Sequence, residues 1–239
     1  MAVQRLDKII ASTGKWSRRE VKLLVKQGRV LVDGYPARTP EDKVDPETAR
    51  ISVNGEELGW RSVTWVMLNK PAGYLSATED GRGATVLDLL PPELQKQGLF
   101  PVGRLDKDTE GLLLLTNEGG LAHDLLSPKH HVDKIYYARV DGPLSQEDCD
   151  AFEAGITLGD GLQCQSAGLE ILKSGEQSEC LVTLREGKFH QVKRMLASRG
   201  APVAYLERVQ MGNLTLDRSL ERGQYRFLTQ AELDDLRSF

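Results

Sequence analysis

An aspartate at position 106 lies in the stretch Gly103-Arg104-Leu105-Asp106-Lys107-Asp108-Thr109-Glu110-Gly111, which runs straight into Leu112-Leu113-Leu114-Leu115-Thr116-Asn117. A short apolar run closed by Thr-Asn and Glu-Gly-Gly suits a buried strand better than a helix. The spacing holds Asp106 at the mouth of a core strand, with glycines on either side that let the backbone come close to a ligand. A carboxylate fixed on a rigid element can serve as a nucleophile or as a general base. The same letters also suit a plain acidic turn, since Asp is favoured there.

The elements around this stretch separate the two readings only in part. Arg-Leu-Asp-Lys occurs at residues 5–8 and again at 104–107. The first copy falls in an amphipathic helix with Leu6, Ile9 and Ile10 on its apolar side, so Asp7 is expected to be a solvated or paired surface carboxylate. The second copy is flanked by glycine and feeds a buried strand. Only the second has the context for catalysis.

Ser17-Arg18-Arg19-Glu20 has the form of a helix capping box, Val21, Leu24 and Val25 supply an apolar face, and Gly28 stands where the helix should end. Val30-Leu31-Val32 with Asp33-Gly34, and Ile51-Ser52-Val53 with Asn54-Gly55, each read as a strand and tight turn. From residue 63 onward, strands are expected at 64–68, 112–116, 134–140, 179–184 and 226–228, with helices at 146–154 and 192–198. The mixture implies an α+β fold with a largely antiparallel sheet.

A chain of 239 residues accommodates one large domain and one small one. No apolar run approaches the roughly 20 residues that span a bilayer, and the opening residues lack a signal-peptide core. Cys149, Cys164 and Cys180 are odd in number and lack zinc-site pairing, which suits reduced thiols in the cytoplasm. The net charge of -4 argues weakly against nucleic acid. Its distribution argues the other way. Arg5, Lys8, Lys15, Arg18, Arg19, Lys22, Lys26 and Arg29 are opposed within the first thirty residues only by Asp7 and Glu20, a localised patch for a polyanion.

Longer motifs point to a family. Gly-Arg-Leu-Asp-x-x-Thr-x-Gly-Leu-Leu-Leu-Leu-Thr-Asn resembles the catalytic motif of RNA pseudouridine synthases, in the branch that modifies ribosomal RNA. Leu68-Asn69-Lys70-Pro71-Ala72-Gly73-Tyr74, Ser127-Pro128-Lys129-His130-His131, Lys134-Ile135-Tyr136 and Glu186-Gly187-Lys188-Phe189-His190-Gln191-Val192-Lys193-Arg194-Met195 match further motifs in the family's order. Their spacing is most similar to the small-subunit members. The N-terminal stretch, with Arg5-Leu6-Asp7-Lys8, Ser17-Arg18 and Gly28-x-Val30-x-Val32-Asp33-Gly34, resembles an S4 RNA-binding domain. The expected organisation is an S4-like domain over 1–58, a linker over 59–62 and a catalytic domain over 63–239, the last with a mixed central sheet crossed by a cleft.

The resemblance implies isomerisation of a specific uridine in 16S (small-subunit) ribosomal RNA, or in an assembly intermediate of that subunit, by a monomer that extrudes its target base. Asp106 falls on the family's catalytic aspartate, whereas the family pattern tolerates variation at Asp108. The residues leave open attack at C1′, attack on the ring and abstraction of a sugar proton. An ionised Asp106 in a cleft requires a cation. Lys193 falls on the position of the family's basic partner, with Arg194 the runner-up. Adjacent helical residues point about 100° apart, so one of the two is expected to reach the site. The other reading gives both to RNA phosphates. Tyr136 falls where the family stacks a ring on the target base, with Tyr137 facing away. Arg104 matches the arginine that fills the stack left by the extruded base. Arg18, Arg19 and Lys22 are the expected phosphate contacts of the small domain.

His123, His130, His131 and His190 show no zinc-type spacing, and the isomerisation has no step that needs a Lewis acid, so neither metal nor organic cofactor is expected. His130 and His131 are expected to contact RNA or steady the loop before Tyr136. Three rivals stand beside this reading. Asp106-Lys107-Asp108-Thr109 matches the start of aspartate-dependent phosphohydrolases, but there the apolar strand precedes the nucleophile and here it follows. The target could instead lie in large-subunit rRNA. A non-catalytic, RNA-binding assembly factor is the third, and the intact set of Asp106, Tyr136 and Lys193 argues against it.

Overall fold

The computed structural model describes residues 3–46, 48–58, 63–81 and 83–239. The linker expected at 59–62 lies outside them. The chain divides into two compact units, residues 1–64 with 90–99 and residues 65–89 with 100–239.

In the first unit, β1 (Gln4–Arg5) leads into α1 (Leu6–Ser12), and α2 spans Arg18–Lys26. Ser17 caps α2 as its sequence requires: its hydroxyl accepts from the Glu20 amide at 3.3 Å, and the Glu20 carboxylate accepts from the Ser17 amide at 2.6 Å. Strands β2 (Val30–Val32), β3 (Tyr35–Pro36), β5 (Ile51–Val53) and β6 (Glu56–Glu57) form a sheet in the order β3-β2-β5-β6, while β4 (Lys43–Val44) pairs with β1. Asp33 and Gly34 both take positive φ, 52° and 84°, as the shortest hairpin turns demand. Leu6, Ile9, Ile10, Val21, Leu24, Val25, Val30 and Ile51 converge on one core. Asp7 departs from expectation. It is paired, to Arg5 at 2.8 and 3.0 Å, but it is buried rather than on the surface. The Arg5 hydrogen bond holds its carboxyl below the usual range. The short helix α3 (Pro92–Gln95) also belongs to this unit.

The second unit is built on nine strands. These are β7 (Trp65–Lys70), β8 (Phe100–Pro101), β9 (Glu110–Thr116), β10 (Lys134–Asp141), β11 (Gly168–Lys173), β12 (Gln177–Leu184), β13 (Val203–Met211), β14 (Leu214–Thr215) and β15 (Tyr225–Phe227). The main order is β11-β12-β10-β13-β9-β7-β15, with β8 on β9 and β14 on β13. Every pairing is antiparallel except β9 with β13, which makes the sheet mixed, as expected of an α+β fold. Leu112–Leu115 of β9 are fully buried, so the continuous leucine run reflects a strand covered on both faces.

Helices α4 (Gly119–Leu126), α5 (Gln146–Ala154), α6 (Gln191–Ser198) and α7 (Gln230–Leu236) complete the unit. Helix α5 packs on β11, and α6 on β13. Among the described residues no helix is long and apolar enough to cross a membrane.

Six of these elements, β8, β11, β13, β14, α4 and α7, escape the sequence pattern. Strand β13 is the instructive one. It lies in the middle of the sheet yet carries Glu207 and Arg208, both buried, which breaks the apolar signature of a central strand. Arg208 donates from Nε to the Leu112 carbonyl at 2.8 Å, and Glu207 pairs with Arg218 and Arg222.

The parallel junction of β9 and β13 is very close. Gly111 has a φ of 95°, and a Cβ there would stand 2.4 Å from the Arg208 carbonyl oxygen. The glycine that the sequence reading assigned to close approach of a ligand thus admits the protein's own backbone. Gly103 likewise faces the Leu126 side chain. Gly111→Ala should lower the free energy of unfolding by about 3 kcal/mol or more, through backbone strain and overpacking together. Urea denaturation of the two proteins measures the difference.

Candidate active site

Asp106 sits in the loop before β9, and a buried lysine fixes that loop. Lys70, at the end of β7, is 0% exposed. Its Nζ donates to the carbonyls of Thr109 at 2.8 Å, Pro71 at 3.1 Å, and Asp106 and Lys107 at 3.2 Å each. Burial pushes its ammonium down to about 8, against the pull of Asp108, Glu110 and Asp106. The loop is also stitched by Ser76, whose hydroxyl donates to the Leu105 carbonyl at 2.9 Å and accepts from the Leu105 amide at 3.0 Å. The Gly73 amide donates to the Lys107 carbonyl at 2.7 Å.

With its backbone fixed, Asp106 presents a carboxylate 26% exposed, while Asp108 is 74% exposed. Lys193 of α6 serves both, lying 3.1 Å from Asp106 Oδ2 and 2.5 Å from Asp108 Oδ1. Burial opposes its charge, but the hydrogen bonds to Asp108 and Asp106 outweigh it and raise the ammonium above the ordinary lysine value. The same bond from Lys193 holds the Asp108 carboxyl below its usual range. Arg194, the next residue on the helix, turns away and pairs with Asp160. The 100° step between neighbours thus gives the two cations different acids.

His190 precedes α6 with φ 49° and brings Nε2 to 3.6 Å from Asp106 Oδ1. The turn that carries it is held from below: the Lys188 amide donates to Gln191 Oε1 at 2.9 Å, and Gln191 Nε2 donates to Glu186 at 2.6 Å. Tyr136 reaches the same cleft from β10, together with Arg104, Thr109 and Leu184. A register shift between Ile135 and Tyr136 against β13 marks a bulge, a device that re-aims side chains beside active sites. Tyr137 faces the other way, and its hydroxyl donates to Glu179 at 2.7 Å. His130 is paired through Nδ1 with the Phe239 carbonyl at 3.0 Å.

The cleft is about 70 Å³ and shares Arg104, Leu105, Asp106, Gly187, Lys188 and His190 with an adjoining groove of about 530 Å³. The groove lies within the 300–1,000 Å³ range of small-ligand sites. In the first unit, Arg18, Arg19 and Lys22 are exposed on α2, with Lys22 3.8 Å from Glu41.

The role of Lys70 is not legible in the sequence, although it lies within one of the motifs, because its partners are main-chain carbonyls that carry no sequence signal. Its signature is a charged residue closing an otherwise apolar strand just before Pro-x-Gly. A second network also escaped: Arg222 joins Glu110 at 2.8 Å, Glu207 at 2.9 Å and the Tyr205 hydroxyl at 2.6 Å, and contacts Asn69. It braces the far side of the loop.

The chain that folds into this sheet and cleft has known counterparts. Residues 64–198 match the family model described as RNA pseudouridylate synthase, and residues 4–49 match the S4 domain. The chain belongs to the RNA pseudouridine synthase family and is an isomerase of that class. Relatives align over nearly the whole length. "Uncharacterized RNA pseudouridine synthase YtzG" of Bacillus subtilis is 48% identical over 96% of each chain. "Ribosomal small subunit pseudouridine synthase A" of Vibrio cholerae is 38% identical over 96% of this chain and 97% of its own. A crystal structure of a pseudouridylate synthase superposes with a TM-score of 0.68 at 36% identity, covering 98% of this chain and 99% of its own.

The two cations of α6 should separate cleanly on substitution. Lys193→Met strips Asp106 and Asp108 of their common partner and should slow isomerisation about a hundredfold, the scale of losing one charge partner in an active site. Arg194→Ala should stay within about fivefold of the unmodified enzyme, since its guanidinium stabilises an exposed pair. Tritium release from C5-labelled uridine in rRNA gives both rates.

Proposed function

We propose that this enzyme converts one uridine of 16S ribosomal RNA, within the free RNA or a small-subunit assembly intermediate, to pseudouridine. It does so as a cytoplasmic monomer, with Asp106 as the catalytic carboxylate. The reaction breaks the N1–C1′ bond, turns the uracil and joins C5 to C1′. The proton leaves C5 and N1 ends protonated, so atoms and charge balance without a second substrate. The observation that carries this reading is the shared lysine: Lys193 stands 3.1 Å from the Asp106 carboxylate inside a cleft lined by Tyr136.

In this reading Tyr136 stacks on the target base and Arg104 occupies the gap it leaves in the RNA, the arrangement base extrusion requires. Residues 1–58 dock the RNA through Arg18, Arg19 and Lys22 on α2, and residues 63–239 carry the chemistry. Arg194 can exchange exposed Asp160 for a phosphate. The 16S assignment draws support from the full-length likeness to small-subunit synthases.

Asp106→Asn should fold normally, bind RNA and lose about a thousandfold or more in rate, the upper range for an essential catalytic group. Chemical mapping of pseudouridine in total rRNA, with and without the gene, should show one site missing from 16S rRNA. A site missing from large-subunit rRNA instead would reassign the substrate and leave the chemistry intact; full occupancy at every site would refute the function.

The docking role has its own signature. Arg18→Ala with Arg19→Ala removes two cations that Glu41 does not offset, and should weaken RNA binding and reduce the slope of log affinity against log salt by about 1–2. Filter binding across a salt series reads the slope. Single-turnover chemistry at saturating RNA should be little changed.

A further inference from the structure

Phe189 is 75% exposed, the most solvent-facing of the phenylalanines, and it is stacked on its neighbour. Its ring lies on the imidazole of His190, with centroids 3.8 Å apart and planes within 18°. His190 in turn stands 3.6 Å from Asp106. A continuous series of contacts therefore runs from the carboxylate through the imidazole to a phenyl ring. The left-handed backbone at His190 and the buried Gln191–Glu186 bond shape the turn that carries both rings.

With His190 on one face and most of its surface exposed, the ring offers an open apolar plane at the edge of the site. The ring borders the outer groove and is absent from the inner cleft, where Tyr136 stands. The groove carries Arg104, Lys107 and Lys188 against two acids, Asp80 and Asp106, and Lys188 is also paired with Glu186 at 3.2 Å, which leaves Arg104 and Lys107 as its foremost cations. An apolar aromatic plane set among cations matches a nucleotide, whose base stacks while its phosphates meet the positive charges. We propose that Phe189 is the stacking platform for a base next to the target uridine. It would extend the His190–Phe189 stack and set which flanking nucleotides are accepted. The inference rests on the RNA-isomerising reading of Asp106.

The test uses the full chain and C5-tritiated rRNA from cells lacking the gene, so that the target is unmodified in whichever subunit it lies. Phe189→Ala and Phe189→Leu should each raise the RNA concentration at half-maximal single-turnover rate about tenfold, within the range for removing one base–aromatic stack. Phe189→Trp should stay within about twofold, because any flat ring sustains the stack. RNA should also quench the emission added by Phe189→Trp beyond the change seen for the three native tryptophans. Unchanged half-saturation in Phe189→Ala, rescue by leucine as complete as by tryptophan, or an unquenched indole would each overturn the platform. Wild-type enzyme that releases no tritium would instead sink the underlying function, while the quenching measurement would still decide whether the ring meets RNA.

Discussion

The ammonium of Lys70 is the point on which the site hangs. A charge with no exposure is tolerable only where donors are fully used, and four carbonyls from two loops converge on it. Three of those carbonyls belong to Asp106, Lys107 and Thr109, so the chain around the Asp106 carboxylate is shaped by a fully buried cation. Its burial pushes it toward the neutral form, and the carbonyl cage together with the nearby carboxylates opposes that push. Removing the lysine would leave polar backbone stranded at the base of the cleft.

This arrangement frees the second lysine for the surface of the site. Lys193 need not hold the loop, so it can balance charge there, and it does so for two carboxylates at once. The trio carries one net negative charge, enough to keep an anion in the cleft without repelling an RNA backbone outright. Exposed positive charge is concentrated elsewhere, on α2. An overall acidic protein is thereby compatible with a polyanionic substrate, because the distribution of charge counts for more than its sum.

How much could be read in the sequence varies with the range of the interaction. The Ser17–Glu20 cap, the Asp33-Gly34 turn and the leucine run of β9 are local, and each is found where the letters put it. The grouping of Asp106, Tyr136 and Lys193 was legible through motif order, and the structure brings the three to one cleft. Partition of Lys193 and Arg194 between Asp106 and Asp160 needed the helix phase as well as the identity of the residues. Strand β13 was illegible because its buried Arg208 is held by the Leu112 carbonyl, 96 positions away, and its Glu207 by Arg218 and Arg222 outside the strand, so the charges that break its apolar pattern are met by residues the strand itself does not contain. The glycines beside Asp106 were assigned the right property and the wrong neighbour.

The Arg222 brace has a temporal consequence. Its contact with Asn69 joins residues 153 positions apart, and β15 pairs with β7 across a similar span. As the polypeptide leaves the ribosome, β7 and the leucine strand appear early, but the segment that props the acidic loop from behind follows about a hundred residues later. Contacts of such separation form late, since chain entropy must be lost before they repay it. A nascent chain can thus complete its S4 stretch and the leucine strand well before the Arg222 brace of the Asp106 loop is in place.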